Sequence, residues 1–337
     1  MLRLSIASLV VARCGALNVN TVSGLDPRWA VAAAPAAATA VAAAALTLAA
    51  RFVEPESDWD RADPARWADA YGEWGDWAAS GLTRRVAASG GAAEVVAARG
   101  GGWRLLVRHG KAQSVTAWDV AAGAAAHDKV AHEYVKAMAA AAVGALGRAP
   151  TDALYLGLGA GTLPMLLRAE RSTAVELDGG AAALARDALG LDGVDVVVGD
   201  AADHASLAPG ARDLIALDVY GDDDTVPSPF LSEAFARSVD AALADGGAFV
   251  ANFHVGDGGA EDAKLAAATA AYARVFPSLA RIPVRFQGNE ILVAVRGAAK
   301  PPAGAAAAAA ATAVARAEGW RFDPASRLSK LAPASPG

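Results

Sequence analysis

Cysteine is almost absent from this sequence, and basic residues are outnumbered by acidic ones. The single cysteine, Cys14, cannot form an intramolecular disulfide and argues against a thiolate metal site. Histidines are scattered, and the two nearest, His127 and His132, lack the i, i+4 spacing of a helical metal pair. A formal charge of −6 provides no basic field for nucleic acid. The sequence therefore predicts neither a metal centre nor a nucleic-acid substrate.

Acidic residues are also missing from the first 20 positions, which combine two arginines with a short apolar run. This pattern is typical of a cleavable signal or an organelle presequence. A second segment, residues 29–50, is nearly all apolar and reaches the roughly 20 residues that a bilayer span requires, but it is mostly alanine and contains Pro35. We predict that residues 1–55 direct the protein to a plastid or a mitochondrion. Residues 29–50 are then either a membrane anchor or a further part of the transit region.

Residues 56–147 are predicted to form an N-terminal unit of helix and β-hairpin. Short β-like runs lie at residues 82–87, 93–98, 103–108 and 113–118. The last two runs flank a turn at residues 109–112, which predicts a hairpin. A helix is expected over residues 128–146.

Strand and helix patterns alternate regularly over residues 148–298. Candidate strands occupy residues 153–157, 173–178, 194–199, 213–220 and 248–254. Such alternation predicts a parallel, doubly wound sheet. Two further strands, 282–287 and 290–296, are joined by so short a connection that they must pair antiparallel. This α/β plan, a Rossmann-like sheet closed by a C-terminal antiparallel hairpin, is that of the class I methyltransferases. Residues 299–337 are expected to be a linker and a peripheral helix.

A glycine-rich turn follows the first strand of that sheet, with Gly157, Gly159 and Gly161 at alternate positions. Glycines allow a tight turn and bring backbone N–H groups close to a ligand at the positive end of a helix. The third glycine of a nicotinamide-binding fingerprint would fall at position 162, which is Thr162. Glycine-rich turns are also ordinary connectors. Together with the acidic residues below, this turn predicts binding of S-adenosylmethionine or its decarboxylated form.

Acidic residues stand at the ends of the next three strands. Glu176 lies about 20 residues beyond the first glycine, where a carboxylate accepts hydrogen bonds from ribose hydroxyls. Asp200, followed by Ala201, is placed to accept from the adenine amino group. Asp218 and Tyr220 end the fourth strand, beside the reactive end of the cofactor, and would position the acceptor. Any one of these acids is explained equally well as a helix cap, but their succession indicates a cofactor site.

The hairpin that contains Gln113, the helix segment that contains His132, the glycine turn and the acidic strand ends occur in an order that resembles the spermidine synthase family and its methyltransferase-like relatives. The resemblance covers about residues 100–255. It implies a small N-terminal β unit over a Rossmann-like domain, with dimerisation through that unit. It also implies that Gln113 and His132 line the cofactor pocket and that Asp218 deprotonates or orients an attacking amine.

Two departures from the family's pattern bear on the reaction. Ala160 stands in the turn where spermidine synthases carry an aspartate, and Ala131 stands where they carry a tyrosine. A diamine needs carboxylates at both ends, because a buried unpaired charge is costly. The sequence therefore favours methyl transfer to an amine of a small molecule or a protein. Aminopropyl transfer and a non-catalytic scaffold remain as alternatives.

Three adjacent carboxylates, Asp222, Asp223 and Asp224, follow directly on Tyr220 and the next glycine. They are interpreted either as a substrate-binding group that recruits a cationic amine or as a solvated loop before a helix at residues 229–244. Methyl transfer requires no metal, and none is predicted.

Overall fold

The computed structural model describes residues 82–89, 93–98, 101–109, 111–204, 210–221, 225–255, 259–284, 288–300 and 304–334. The predicted leader and the apolar segment at residues 29–50 lie outside the described residues. Within the described ranges, no helix is both long enough and apolar enough to cross a bilayer.

The N-terminal unit is an antiparallel sheet whose strands follow one another in chain order. Its strands are β1 (Leu82–Ala88), β2 (Ala93–Ala98), β3 (Trp103–Arg108), β4 (Lys111–Asp119) and β5 (Ala124–Ala125). Alternate residues of β2, namely Ala93, Val95 and Ala97, are buried, as expected for a strand with one covered face. The predicted strands and hairpin are confirmed, although β4 begins two residues earlier than expected.

The helix after this sheet, α1 (Glu133–Leu146), begins five residues later than the sequence predicts. The backbone of His132 is still extended, with φ −89° and ψ 123°. The preceding segment is held outside the helix by tertiary contacts, because the Asp128 carbonyl accepts from the N–H of Arg321 and Val130 is buried. Ten consecutive residues of α1 are buried, from Val135 to Gly144. Six of these ten are small residues, Ala or Gly, so the helix lies close to its neighbours on all sides.

The second sheet has eight strands in the order β13-β11-β12-β10-β9-β6-β7-β8. They are β6 (Asp152–Leu156), β7 (Arg171–Glu176), β8 (Asp195–Val198), β9 (Arg212–Leu217), β10 (Leu243–His254), β11 (Ala280–Val284), β12 (Asn289–Val295) and β13 (Ala332–Pro333). Strands β6 to β10 pair in parallel, and β12 runs antiparallel to both β10 and β11. The predicted class I methyltransferase sheet is confirmed. The strand order reverses between β6 and β9, where open α/β sheets bind ligands at their carboxyl ends.

Helices cover both faces of this sheet. They are α2 (Thr162–Leu167), α3 (Gly179–Leu189), α4 (Ala201–His204), α5 (Glu233–Ala242), α6 (Ala260–Ala273), α7 (Ala305–Ala317) and α8 (Pro324–Leu328). Helices α1, α2 and α7 share one core with the sheet, and α5 and α6 share the other. Helix α3 packs against the N-terminal sheet, so the two sheets are joined through an apolar contact.

The region before β10 also differs from the sequence interpretation. The predicted helix at residues 229–244 is a 3₁₀ turn, Ser228–Leu231, followed by α5. Ser232 separates them because its hydroxyl oxygen accepts from the N–H of Phe235 and caps α5. Strand β10 then begins at Leu243, five residues before its predicted start.

The C-terminal region is more integral to the fold than the peripheral helix expected from the sequence. Trp320 and Phe322 are each only 1% exposed and stack with ring centroids 5.1 Å apart. Ala311 and Ala315 of α7 are fully buried in the core that contains α1, and β13 extends the sheet beyond β11. The alanine-rich sequence conceals this packing because small side chains bury little area individually.

Candidate active site

The glycine turn between β6 and α2 has a backbone that other residues would strain. Gly157, Gly159 and Gly161 have φ values of 90°, 54° and 76°. A Cβ on Gly157 would lie 2.2 Å from the backbone oxygen of Asp218, and one on Gly159 would lie 2.8 Å from the Ser114 hydroxyl. The turn therefore touches both the end of β9 and the N-terminal sheet.

Strand β4 of the N-terminal sheet lies directly against this turn. The hydroxyl oxygen of Ser114 accepts from the N–H of Ala160 at 2.6 Å. The Thr162 hydroxyl donates to the carbonyl of Val115 at 3.0 Å. Ser114 was not singled out from the sequence, although it belongs to the hairpin segment that carries the resemblance. It forms one wall of the turn.

Gln113 is the residue that a bulge in β4 leaves without a direct partner on β3, since Leu106 pairs with Ser114 and Val107 with Ala112. Its side chain is exposed. Bulges are frequent next to active sites, where they redirect a side chain. A cofactor contact through Gln113 remains a prediction.

Glu176 ends β7 beside the glycine turn. One carboxylate oxygen accepts from the N–H of Leu158 at 3.3 Å, and the other accepts from the N–H of Asp178 at 3.0 Å. Asp178 itself caps α3 through the N–H groups of Gly180 and Ala181. Of the two acids at this strand end, Glu176 is therefore the one beside the turn.

Asp200 lies after β8 and is exposed. Its carboxylate accepts from the N–H of Ala202 at 2.8 Å, which is the capping contact that the sequence also allowed. Ala201 is buried, 7% exposed, in the core that contains α5 and α6. The adenine contacts expected of Asp200 and Ala201 remain predictions.

Asp218 follows β9 and is held by donors from two other elements. The side-chain amide of Asn252 on β10 donates to its carboxylate at 2.9 Å, and the hydroxyl of Tyr134 on α1 donates to the same group. Burial raises the pKa of the Asp218 carboxyl. The hydrogen bond from Asn252, the charge of His254 and the hydrogen bond from Tyr134 oppose that rise. A carboxylate in this setting is a stronger base than one in water.

Tyr220 lies two residues beyond Asp218, and its ring stacks on His254 with centroids 4.2 Å apart. Its hydroxyl donates to the backbone carbonyl of Asn252 at 3.2 Å. Burial, followed by the charge of Asp218, raises the pKa of the Tyr220 phenol well above its usual range. Tyr220 is therefore a neutral donor near neutral pH.

Solved structures with this architecture include a probable spermidine synthase from Corynebacterium glutamicum, with a TM-score of 0.52 and 23% identity over 70% of this chain and 86% of that chain. The chain has the spermidine synthase fold. Human methyltransferase-like protein 13 in complex with SAH is 27% identical, covers 56% of this chain and 92% of that chain, and has a TM-score of 0.48. A spermidine synthase from Thermotoga maritima is 18% identical over 65% of this chain and 75% of that chain, and also has a TM-score of 0.48. No family profile matches the chain, and no curated protein sequence matches it.

Within the spermidine synthase fold, the start of α1 brings His132 and Tyr134 to the site. Their rings lie 5.3 Å apart, and burial lowers the pKa of His132 to about 4, so the imidazole is neutral at pH 7. Ala131 and Ala160 are both buried, at 8% and 1% exposed. Neither position adds a polar group to the site, whereas Tyr134 supplies a phenol that reaches Asp218.

The acidic segment that follows Tyr220 and Gly221 comprises Asp222, Asp223 and Asp224. These three residues lie outside the described residues. Their substrate-binding role is therefore still a prediction. Among the described residues, no group of three histidine, cysteine or acidic side chains is placed to hold a metal ion.

Three further residues of the site were missed from the sequence, namely Tyr134, Asn252 and Asn289. Asn252 interrupts the otherwise apolar run at residues 248–253, which is a detectable signal of a buried polar role. Asn289 lies in the short connection predicted between strands 282–287 and 290–296, but it is the first residue of β12. Leu177 is 68% exposed next to Glu176, an unusual place for a large apolar side chain.

Proposed function

We propose that this protein is an S-adenosylmethionine-dependent methyltransferase of spermidine synthase-like type with an amine as its acceptor. The observation that supports this most strongly is the contact between Gly157 and the backbone of Asp218. This contact brings the glycine turn to the same edge of the sheet as the carboxylate of Asp218, which burial makes more basic.

The residues of this edge fit the cofactor. Three glycines in left-handed conformations open the turn to a ligand, and the carboxylate of Glu176, at the end of β7, would accept from ribose hydroxyls. The exposed side chain of Leu177 offers an apolar surface to the adenine ring. S-adenosylmethionine supplies, when bound, a methyl group on a positively charged sulfur.

Asp218 has the central role in handling the acceptor. Its ionised carboxylate accepts a hydrogen bond from an amine, orients the nitrogen lone pair and takes up the amine's proton. Tyr134 and Asn252 hold the carboxylate from two sides, which fixes its direction. Activity should rise with pH as Asp218 ionises, because only the ionised carboxylate can accept the proton.

The buried alanines favour methyl transfer over aminopropyl transfer. Ala160 presents a methyl group where a second carboxylate would be needed, and its N–H is bonded to Ser114. One carboxylate beside the acceptor matches an amine with one charge, whereas a diamine would leave its second charge unpaired.

An aminopropyltransferase that uses decarboxylated S-adenosylmethionine is the second candidate, favoured by Glu261. The carboxylate of Glu261 lies 4.0 Å from Nδ1 of His254, whose ring stacks on Tyr220. It would provide the second negative charge near the acceptor that the turn lacks.

The test incubates the full chain with each cofactor in turn, together with putrescine, monoamines or a lysine-containing peptide. Formation of S-adenosylhomocysteine with a methylated amine supports the proposal, whereas methylthioadenosine identifies aminopropyl transfer. We expect Asp218→Asn to lower kcat by about 100-fold or more. Asp245→Asn, at a carboxylate whose side chain is 99% exposed, serves as the control and should be unchanged. Calorimetry that detects no affinity for either cofactor or its product would favour a scaffold.

A further inference from the structure

Two buried side-chain amides lie next to Asp218 and Tyr220, the two residues that we assign to the acceptor. Asn252 on β10 is 1% exposed and Asn289 on β12 is 3% exposed. Burial of an amide without hydrogen-bond partners is costly, so such side chains are retained where they have partners. The antiparallel pairing of β10 with β12 places Asn289 opposite His254, two residues beyond Asn252.

These amides form a hydrogen-bonded series with a fixed direction. The Nδ2 group of Asn289 donates to Oδ1 of Asn252 at 3.0 Å. The Nδ2 group of Asn252 then donates to Oδ1 of Asp218 at 2.9 Å. An ionised carboxylate can only accept, so the amide of Asn252 must direct its nitrogen towards Asp218 and its oxygen towards Asn289. Asn289 therefore holds the other end of the amide that donates to Asp218.

The same two residues also hold Tyr220. Its hydroxyl donates to the backbone carbonyl of Asn252, and the same hydroxyl hydrogen-bonds to the side chain of Asn289. A single pair of amides on neighbouring strands thus contacts both groups that we assign to the acceptor.

We propose that Asn252 and Asn289 are positioning residues that orient Asp218 and Tyr220 for the acceptor amine. The inference rests on the proposed function for its chemistry and on the hydrogen bonds of Asn252 and Asn289 for its geometry.

The environment of Asp218 determines the expected pH effect. The groups that face it are Tyr134 from α1, Asn252 and His254 from β10, and Tyr220 from its own segment, with Glu261 of α6 beyond His254. The hydrogen bond from Asn252 opposes the effect of burial, so its loss should raise the pKa of Asp218 further. The acidic limb of the pH profile of kcat should then move to higher pH.

The kinetic experiment compares Asn252→Leu and Asn289→Leu, which remove the amides but keep the number and branching of side-chain heavy atoms. We expect kcat to fall about 10- to 100-fold in Asn252→Leu because a displaced carboxylate misaligns the acceptor. The affinity for the cofactor, measured by calorimetry, should change little. The acidic limb should move to higher pH in both variants, including Asn289→Leu, where the amide that is lost donates to Asn252.

Ser278→Ala is the matched control. Ser278 is fully buried at the other end of this sheet region, and its hydroxyl bonds to both the N–H and the carbonyl of Val295. It should lose stability without moving the acidic limb. If the two asparagine variants keep the wild-type limb and kcat, or if Ser278→Ala moves the limb equally, the proposal is wrong.

A second readout needs no activity. In the cofactor-free protein, the side-chain amide resonance of Asn252, assigned by its loss in Asn252→Leu, should shift as Asp218 ionises and should stop shifting in Asp218→Asn. If the chemical shift of this resonance does not change with pH in the wild type, the hydrogen bond between Asn252 and Asp218 is refuted. A resonance that titrates in a wild type without transfer activity would instead refute the proposed function and leave the positioning geometry intact.

Discussion

Glu133 is predicted to stabilise the fold through a buried ion-pair group that joins α1 to α8. Its carboxylate lies 2.6 Å from the Lys136 ammonium and 2.8 Å from the Arg327 guanidinium. Both cationic residues are 6% exposed. Although burial alone would raise the pKa of Glu133, the two cations lower it from its ordinary 4.5 to about 2.

The magnitude follows from that difference. One unit of pKa corresponds to about 1.4 kcal/mol between the two protonation states, so the ionised carboxylate contributes up to ~3 kcal/mol. A group whose pKa is lowered on folding contributes fully above its unfolded value, here 4.5, and its contribution is lost as the pH falls towards 2. The substitution Glu133→Gln leaves two buried cations without their counter-charge, and we expect it to lower the free energy of unfolding by about 3 kcal/mol at pH 7.

The measurement is urea denaturation of the full chain at a series of pH values between 7 and 2. The difference between wild type and Glu133→Gln should be constant down to about pH 4.5 and then shrink. Glu233→Gln is the control, because Glu233 pairs with Arg237 on the surface and such a pair contributes well under ~1 kcal/mol. A loss in Glu133→Gln no larger than in the control, or one that does not depend on pH, would refute the reasoning.

Two further predictions concern the cofactor cradle. Glu176→Gln should weaken S-adenosylmethionine binding by about 10-fold or more in calorimetry, since hydrogen bonds to charged groups are worth roughly 1.5–3 kcal/mol; unchanged affinity would remove Glu176 from the cofactor site. Gly157→Ala should abolish binding, because its Cβ would meet the Asp218 backbone at 2.2 Å. Gly193→Ala, which has a similar positive φ of 68° but open space around it, should bind normally and would expose any effect of backbone strain alone.

Much of the second sheet was predictable from the sequence because its strands are short apolar runs between helical patterns. The antiparallel pairing of β11 and β12 followed from the short connection alone. Element ends were less predictable, since they depend on tertiary contacts. The first turn of α1 is displaced to Glu133 because Arg321, which is distant in sequence, holds the preceding backbone.

The candidate site divides in the same way. Glu176 and Asp218 were identified because each is an acid directly at a strand end, a position that the chain order reveals. Asn252 and Asn289 were not identified because their partnership requires the register between β10 and β12, which no local pattern specifies. Tyr134 was likewise hidden, since the position of its hydroxyl depends on where α1 begins.

The contact of Ser114 and Val115 with the glycine turn makes ligand affinity a property of both sheets. Two equilibria, docking of the N-terminal sheet and occupation of the turn, share this surface and are therefore thermodynamically linked. By reciprocity, docking of the N-terminal sheet tightens a ligand on the turn by the same factor by which that ligand tightens docking, so a substitution in β4 that loosens docking also weakens the ligand. Substitutions anywhere along the contact between the N-terminal sheet and the second domain, including positions far from the turn, should therefore change the affinity for a ligand on the turn.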